Sequence, residues 1–256
     1  MKYLGGVIRY EYKMSIKRIG MPIVFALFTL FFAVTTFAER GELLAGAAAD
    51  GNLWSSASSF VMVINLFIPV VCGILASDRI VRDESLSMRE LLRTTKLDNR
   101  SYVWGKFLGV TLSEITCLFL MVLCIGILLV VIGFPVQIIP MSLLVSLAAN
   151  VPAIIFVNAF SVMCPSFMPV RIYQILFTGY WYWGNYLNAD AFFSISNTIL
   201  NVGGFYPLEG YWGIIYGGAR GYTPIDAVLN LLVILVLATA ALLIEEHIIS
   251  RREAVV

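Results

Sequence analysis

Apolar residues in this chain come in long runs, not in the short alternating or 3.6-residue patterns of a water-soluble core. A helix needs roughly 20 apolar residues to cross hydrocarbon. Six runs reach or approach that length, at about 21–38, 57–77, 107–132, 139–164, 171–187 and 225–246. The first (MPIVFALFTLFFAVTTFA) and the last (IDAVLNLLVILVLATAALLIEE) are the plainest. The fifth, RIYQILFTGYWYWGNYL, is short and rich in aromatics. The pattern predicts an all-α integral membrane protein of six transmembrane helices, with residues 1–256 forming one transmembrane domain.

Two stretches between the runs keep a helical period. In KYLGGVIRYEYKMSIKRIG, within residues 1–20, Arg9, Lys13 and Lys17 follow at i, i+4 and i+8 and make a basic stripe. Leu4, Val7, Ile8, Tyr12 and Ile19 lie on the other side. The spacing predicts an amphipathic helix lying in the membrane interface, its stripe facing anionic headgroups of the lipid bilayer. In SDRIVRDESLSMRELLRTTK, residues 77–96, Ile80, Val81, Met88, Leu91 and Leu92 share one face, and Arg82, Asp83, Arg89, Glu90 and Arg93 the opposite one. An ion pair such as Asp78–Arg82 within that helix adds only a few tenths of a kcal/mol. A face of mixed sign fits a protein partner better than lipid, which favours basic residues without acids.

Composition agrees with the pattern. The chain is 60% hydrophobic and 13% charged, where soluble domains carry about a quarter charged residues. A net charge of +1 gives no reason to expect a nucleic-acid partner. Cys72, Cys117, Cys124 and Cys164 lie inside apolar runs without C-x-x-C spacing, and His247 is the single histidine. No metal site is expected from them. The first run follows a twenty-residue polar lead, which reads as a retained span, not a cleaved signal.

The distribution of charge orients the helices. With the N-terminus in the cytoplasm, fifteen of the seventeen Lys and Arg residues fall inside, leaving Arg40 and Arg220 outside. The positive-inside rule then places both termini and the 77–96 stretch in the cytoplasm. Outside lie 39–56, with Glu39, Glu42 and Asp50, and 188–224, which holds AFFSISNTILNV followed by a glycine-rich stretch. The latter is too broken for a span and too apolar for a free loop, so re-entrant or extracellular helices are expected between spans five and six.

The charged stretch continues as TTKLDNRSYVWGKFLG. The whole resembles the loop after the second span in ABC transporter permeases of the type-2 exporter class, which share a type V exporter-like fold. The matching residues are Asp83, Glu84, Glu90, Leu91, Leu92, Arg100, Tyr102, Gly105, Lys106 and Gly109. The layout of the full chain is also similar. The resemblance implies a permease subunit that pairs with a second copy or a homologous permease. It implies that 78–98 is a coupling helix docked on an ATP-binding cassette subunit through Arg79, Arg82, Asp83, Glu84, Arg89 and Glu90. ATP and magnesium would then sit on that subunit, and this chain would carry no cofactor and no catalytic residue. The sequence agrees on one point. The one Gly-Lys pair, Gly105-Lys106, precedes Phe107 and lacks P-loop spacing. The expected location is a prokaryotic cell (plasma) membrane.

Polar residues inside the runs are further candidates. Glu114, about two turns into the third run, lines a path, binds a cation, pairs with a basic residue near the cytoplasmic end or snorkels to the interface. Asn65 and Pro69 interrupt the second run; Asn150, Pro152 and Asn158 interrupt the fourth. Such groups line a route or bond neighbouring helices. Tyr180 and Trp183 belong to an aromatic cluster that reads as an interfacial belt or a substrate contact. A non-transporting scaffold that docks a cytoplasmic protein through 78–98 is the alternative reading.

Overall fold

The computed structural model describes residues 3–85, 97–188, 191–215 and 220–254. Among them there are helices and turns and no strand. The helices are α1 (Leu4–Lys17), α2 (Gly20–Ala38), α3 (Arg40–Asp50), α4 (Leu53–Ala76), α5 (Arg79–Ser85), α6 (Asn99–Ile132), α7 (Ile138–Met163), α8 (Val170–Tyr186), α9 (Phe205–Trp212) and α10 (Pro224–Ala254). A 3-10 turn, Cys164–Ser166, follows α7.

Five helices, α2, α4, α6, α7 and α10, are long and apolar enough to cross a membrane. Their outer faces are unsuited to water. Leu27 and Leu30 on α2, and Ile225 and Val236 on α10, are each more than half exposed. Apolar surface on that scale is at home in hydrocarbon. The protein is a multi-pass membrane protein. The fifth run does form a helix, α8, but it has 17 residues. At 1.5 Å per residue that is about 26 Å, short of a hydrocarbon core of roughly 30 Å.

Helix α7 is the hub, packing against α4, α6, α9 and α10. Helices α1 and α2 lie on α6, and α8 lies on α4. At Gly73 of α4 a Cβ would come within 2.7 Å of both Phe177 and Val157, so the missing side chain sets how closely α7 and α8 approach. The prolines do not break their helices: α4 runs through Pro69 and α7 through Pro152. Pro69 has no N–H for the Asn65 carbonyl. Beside it, Trp181 Nε1 donates to the Leu66 carbonyl at 3.2 Å, one of the neighbour contacts that let helices carry proline in membranes.

Helix α6 begins at Asn99, well before the apolar run, because Asp98 caps it by accepting from Ser101 N at 3.1 Å. With 34 residues it is about 51 Å long, so its N-terminal part projects past the apolar slab. Glu114, two turns into the apolar run, therefore lies about four turns from the helix start. Within 39–56, Arg40–Asp50 folds as α3, closed by Gly51 at φ 63°, a left-handed position suited to glycine, and α4 begins at Leu53.

The segment 188–224 contains one described helix, the eight-residue α9, flanked by left-handed Gly204 and Gly213. Residues 191–204 form turns. Side-chain hydrogen bonds outcompete helix there. Asn201 Nδ2 donates to the Asn185 and Ser196 carbonyls, both at 2.9 Å, and its Oδ1 accepts from Gly203 N at 2.7 Å. Asn185 Oδ1 accepts from Val202 N at 2.8 Å, and Asn230 Nδ2 on α10 donates to the Ile199 and Asn201 carbonyls at 2.7 and 2.8 Å. Asn201→Ala would orphan several buried partners. It is expected to cost about 1–3 kcal/mol, seen as a lower unfolding temperature of the purified protein in detergent.

Candidate functional site

Most buried charge gathers where α1, α5 and the start of α6 meet. Tyr102, Gly105, Lys106 and Gly109 share one face of α6 at i, i+3, i+4 and i+7. Helix α1 lies against that face. It can do so because two of the four positions lack a side chain. A Cβ at Gly105 would sit 2.5 Å from Val7 Cγ1. A Cβ at Gly109 would sit 2.5 Å from Glu11 Cβ and 3.0 Å from the Ile8 carbonyl oxygen. This is the close approach of a small-xxx-small helix face.

The approach delivers Glu11 to Lys106. Lys106 Nζ lies 2.8 Å from Glu11 Oε1 and 2.8 Å from Asp83 Oδ2. Tyr102 OH donates to the same Asp83 oxygen at 3.0 Å, and its ring faces Lys106 Nζ at 5.5 Å. Lys106 is 2% exposed and Glu11 4%. One ammonium thus ties α1, α5 and α6 together away from water. Charge-assisted bonds of this kind are strong, and losing one partner strands the others. At the rim, Arg18 Nη2 meets Asp78 Oδ2 at 3.3 Å with both side chains partly exposed, a contact worth little.

Arg79, next to this cluster, is 2% exposed. The carboxylates of Glu11, Asp78 and Glu114 act on its charge. Its Nε and Nη1 have no hydrogen-bond partner.

A second polar node lies deeper. Glu114 on α6 is 0% exposed. Asn158 Nδ2 on α7 donates to Glu114 Oε2 at 2.6 Å and to Thr111 Oγ1 at 3.0 Å. The carboxyl points into the bundle, so snorkelling to the interface does not occur. Nearer the opposite end of the helices, Asn150 Nδ2 donates to Asn65 Oδ1 at 3.3 Å, and Asn65 Nδ2 to Tyr186 OH at 3.4 Å. Asn65 and Asn158 therefore bond neighbouring helices.

The remaining candidates divide. Arg9, Lys13 and Lys17 are exposed together on α1, as the stripe requires. The opposite face of α1, however, packs on α6 and includes buried Glu11 and Ser15. Of the six partner-contact candidates, Arg79 is buried and Asp83 is engaged with Lys106 and Tyr102, while Arg82 is half-buried. Arg89, Glu90 and the Glu84 side chain lie outside the described residues. Tyr180 lines an apolar cavity of about 430 Å³ with Phe156, Phe177 and Leu237, between α7, α8 and α10. Trp183 is exposed, its Nε1 donating to the Phe193 carbonyl. Sequence reasoning passes over Glu11 and Glu245. Glu11 carried a signal, being an acid among Leu4, Val7 and Ile8. Glu245 is 0% exposed and accepts from Ser166 Oγ at 2.6 Å, holding α10 to the turn after α7.

A scan against protein-family models and a search of curated proteins find no match to this chain.

Proposed function

We propose that this chain is the membrane-embedded permease subunit of an ATP-driven exporter, with ATP hydrolysed on a separate ATP-binding cassette subunit. In this reading α8 is a sixth span, both termini are cytoplasmic and α9 belongs to a re-entrant segment on the outer side. The permease pairs with a second copy or a homologous permease in a prokaryotic plasma membrane.

One observation carries the reading. Asp83, Tyr102, Gly105, Lys106 and Gly109, which carry much of the resemblance to type-2 permeases, meet in a single buried cluster. A force applied to the loop after α4 would pass through Asp83 and Lys106 into α1 and the long α6 without loss in flexible side chains. That is the mechanical requirement on a loop that couples an ATPase to membrane helices. Glu84 and Glu90, acids in the same loop, are the candidates for the ATPase contact. Asp83 is committed inward and would be a poor probe of it.

The test is affinity purification of the tagged full chain from its native membranes. An ATP-binding cassette subunit and ATPase activity are expected in the eluate. Glu84→Lys with Glu90→Lys should lower both by about tenfold or more, the loss a reversed contact charge of about 2 kcal/mol produces. Purification of the chain without such a subunit, or an ATPase indifferent to the reversal, would favour the scaffold alternative.

A further inference from the structure

The charges buried beside α5 balance without Glu114. Lys106 and Arg79 supply two positive charges, Glu11 and Asp83 two negative ones, and Lys106 touches both carboxylates. Asp78 is answered by Arg18. Arg82 is only half-buried. Among the described residues no cation makes an ion pair with Glu114, which is enclosed by α4, α6 and α7. The groups that face it are Cys72 from α4, Thr111 and Cys117 from its own helix, neutral Asn158 from α7, and Arg79 from α5. Arg79 and Glu114 make no ion pair. An unpaired carboxylate in apolar surroundings takes up a proton before it tolerates the cost of burial.

Asn158 distinguishes a proton from a metal ion. Its Nδ2 donates to Glu114 Oε2 and to Thr111 Oγ1. The amide thus turns its donor side toward the two oxygens a hard cation would need as ligands. Oε2 is taken. Oε1 is buried with no nitrogen or oxygen donor on it, only the Cys72 thiol lying near the carboxyl, so it is the oxygen open to a proton.

We infer that Glu114 is an intramembrane proton-binding site, its carboxyl protonated in this conformation and its proton released when Arg79 moves toward it. Arg79 is fitted for that role. It is buried, its Nε and Nη1 are without hydrogen-bond partners, and the charges of Glu11, Asp78 and Glu114 all act on its guanidinium. An approaching guanidinium favours the ionised carboxylate. Because Arg79 rides on α5, the protonation of Glu114 and the position of α5 are linked, and each biases the other. The inference stands whether or not an ATPase binds α5, so the chain alone suffices to test it.

The full chain in lipid nanodiscs is treated with dicyclohexylcarbodiimide, which modifies protonated carboxyls in apolar surroundings, across a pH series. Adducts are mapped by mass spectrometry. An adduct on Glu114 that fades as pH rises is expected, and it should be absent from Glu114→Gln. The infrared C=O stretch of a protonated carboxyl should be present in the wild type and missing in Glu114→Gln. Arg79→Gln should extend labelling to higher pH. Absence of both adduct and band at every pH would overturn the inference, because Glu114 would then be ionised. Loss of labelling on adding Na⁺ or K⁺ at constant pH would also overturn it, in favour of a cation site. An Arg79→Gln curve identical to the wild type would remove Arg79 from it. The wild-type measurements stand even if a variant fails to fold.

Discussion

Lys106→Met is expected to destabilise the protein by about 3–5 kcal/mol, the cost of removing one partner from a buried charge pair. The variant keeps the volume of the side chain but leaves buried Glu11 and mostly buried Asp83, each 2.8 Å from the missing ammonium, without their shared cation. The triple variant Lys106→Met, Glu11→Leu, Asp83→Leu should recover most of that loss, because replacing all members of a buried ionic group by apolar residues is often neutral. Unfolding temperatures in detergent decide the matter. Equal damage in the single and triple variants would mean that the charges matter individually, not as a balanced set. If the cluster also transmits force, the triple variant should be stable yet uncoupled: normal assembly with any ATPase, but no activity response to substrate.

Gly109→Leu is expected to separate α1 from α6. Even alanine places a Cβ 2.5 Å from Glu11 Cβ and 3.0 Å from the Ile8 carbonyl, with Tyr12 N at 3.2 Å. Alanine gains about 1 kcal/mol of helix propensity over glycine, while overpacking costs about 1–3 kcal/mol. Contact with backbone decides the sign here, since backbone cannot rotate aside. Gly105→Ala meets only the Val7 side chain. Val7→Ala should therefore rescue Gly105→Ala, whereas Glu11→Ala should not rescue Gly109→Ala. Cleavage at Arg18 by trypsin reports the release of α1. Uncleaved Gly109→Leu with wild-type stability would show that the close approach is dispensable.

Much of the fold is legible in the hydropathy of the chain. Five of the six runs become helices long enough to span, within a few residues of their expected ends except for the early start of α6 and the late end of α10. The early start of α6 depends on Asp98, a cap outside the apolar run and invisible to hydropathy. The fifth run, α8, is helical but shorter, and its Tyr173, Phe177 and Tyr180 line the cavity beside α7 and α10. The turns of 191–204 were harder to read. Their apolar residues suggested helix, but Asn185, Asn201 and Asn230 take the backbone bonds a helix would need.

The site was legible only in part. The periodicity of residues 1–20 separates Arg9, Lys13 and Lys17, which are exposed together, from an apolar face of Leu4, Val7, Ile8 and Tyr12, which are half-buried, while Ile19 is exposed. What that face meets is another matter. It meets α6, through two glycines whose spacing looks unremarkable until a second helix is laid across them. Likewise, Glu114 stands out in the sequence as an intramembrane acid, but nothing there pairs it with Asn158, 44 positions away.

By itself, then, the sequence determined the material of this protein: apolar helices, their number to within α8, and the crowding of charge around α5. Those properties follow from the cost of placing polar groups in hydrocarbon, a cost each residue carries wherever it sits. Only the tertiary structure decided the pairings, Lys106 with Glu11 and Asp83 and Glu114 with Asn158, and the burial of Arg79. Hydropathy says that a charge must be shielded, but which neighbour shields it depends on how closely two helix faces can approach. Gly105 and Gly109 set that approach for α1 and α6.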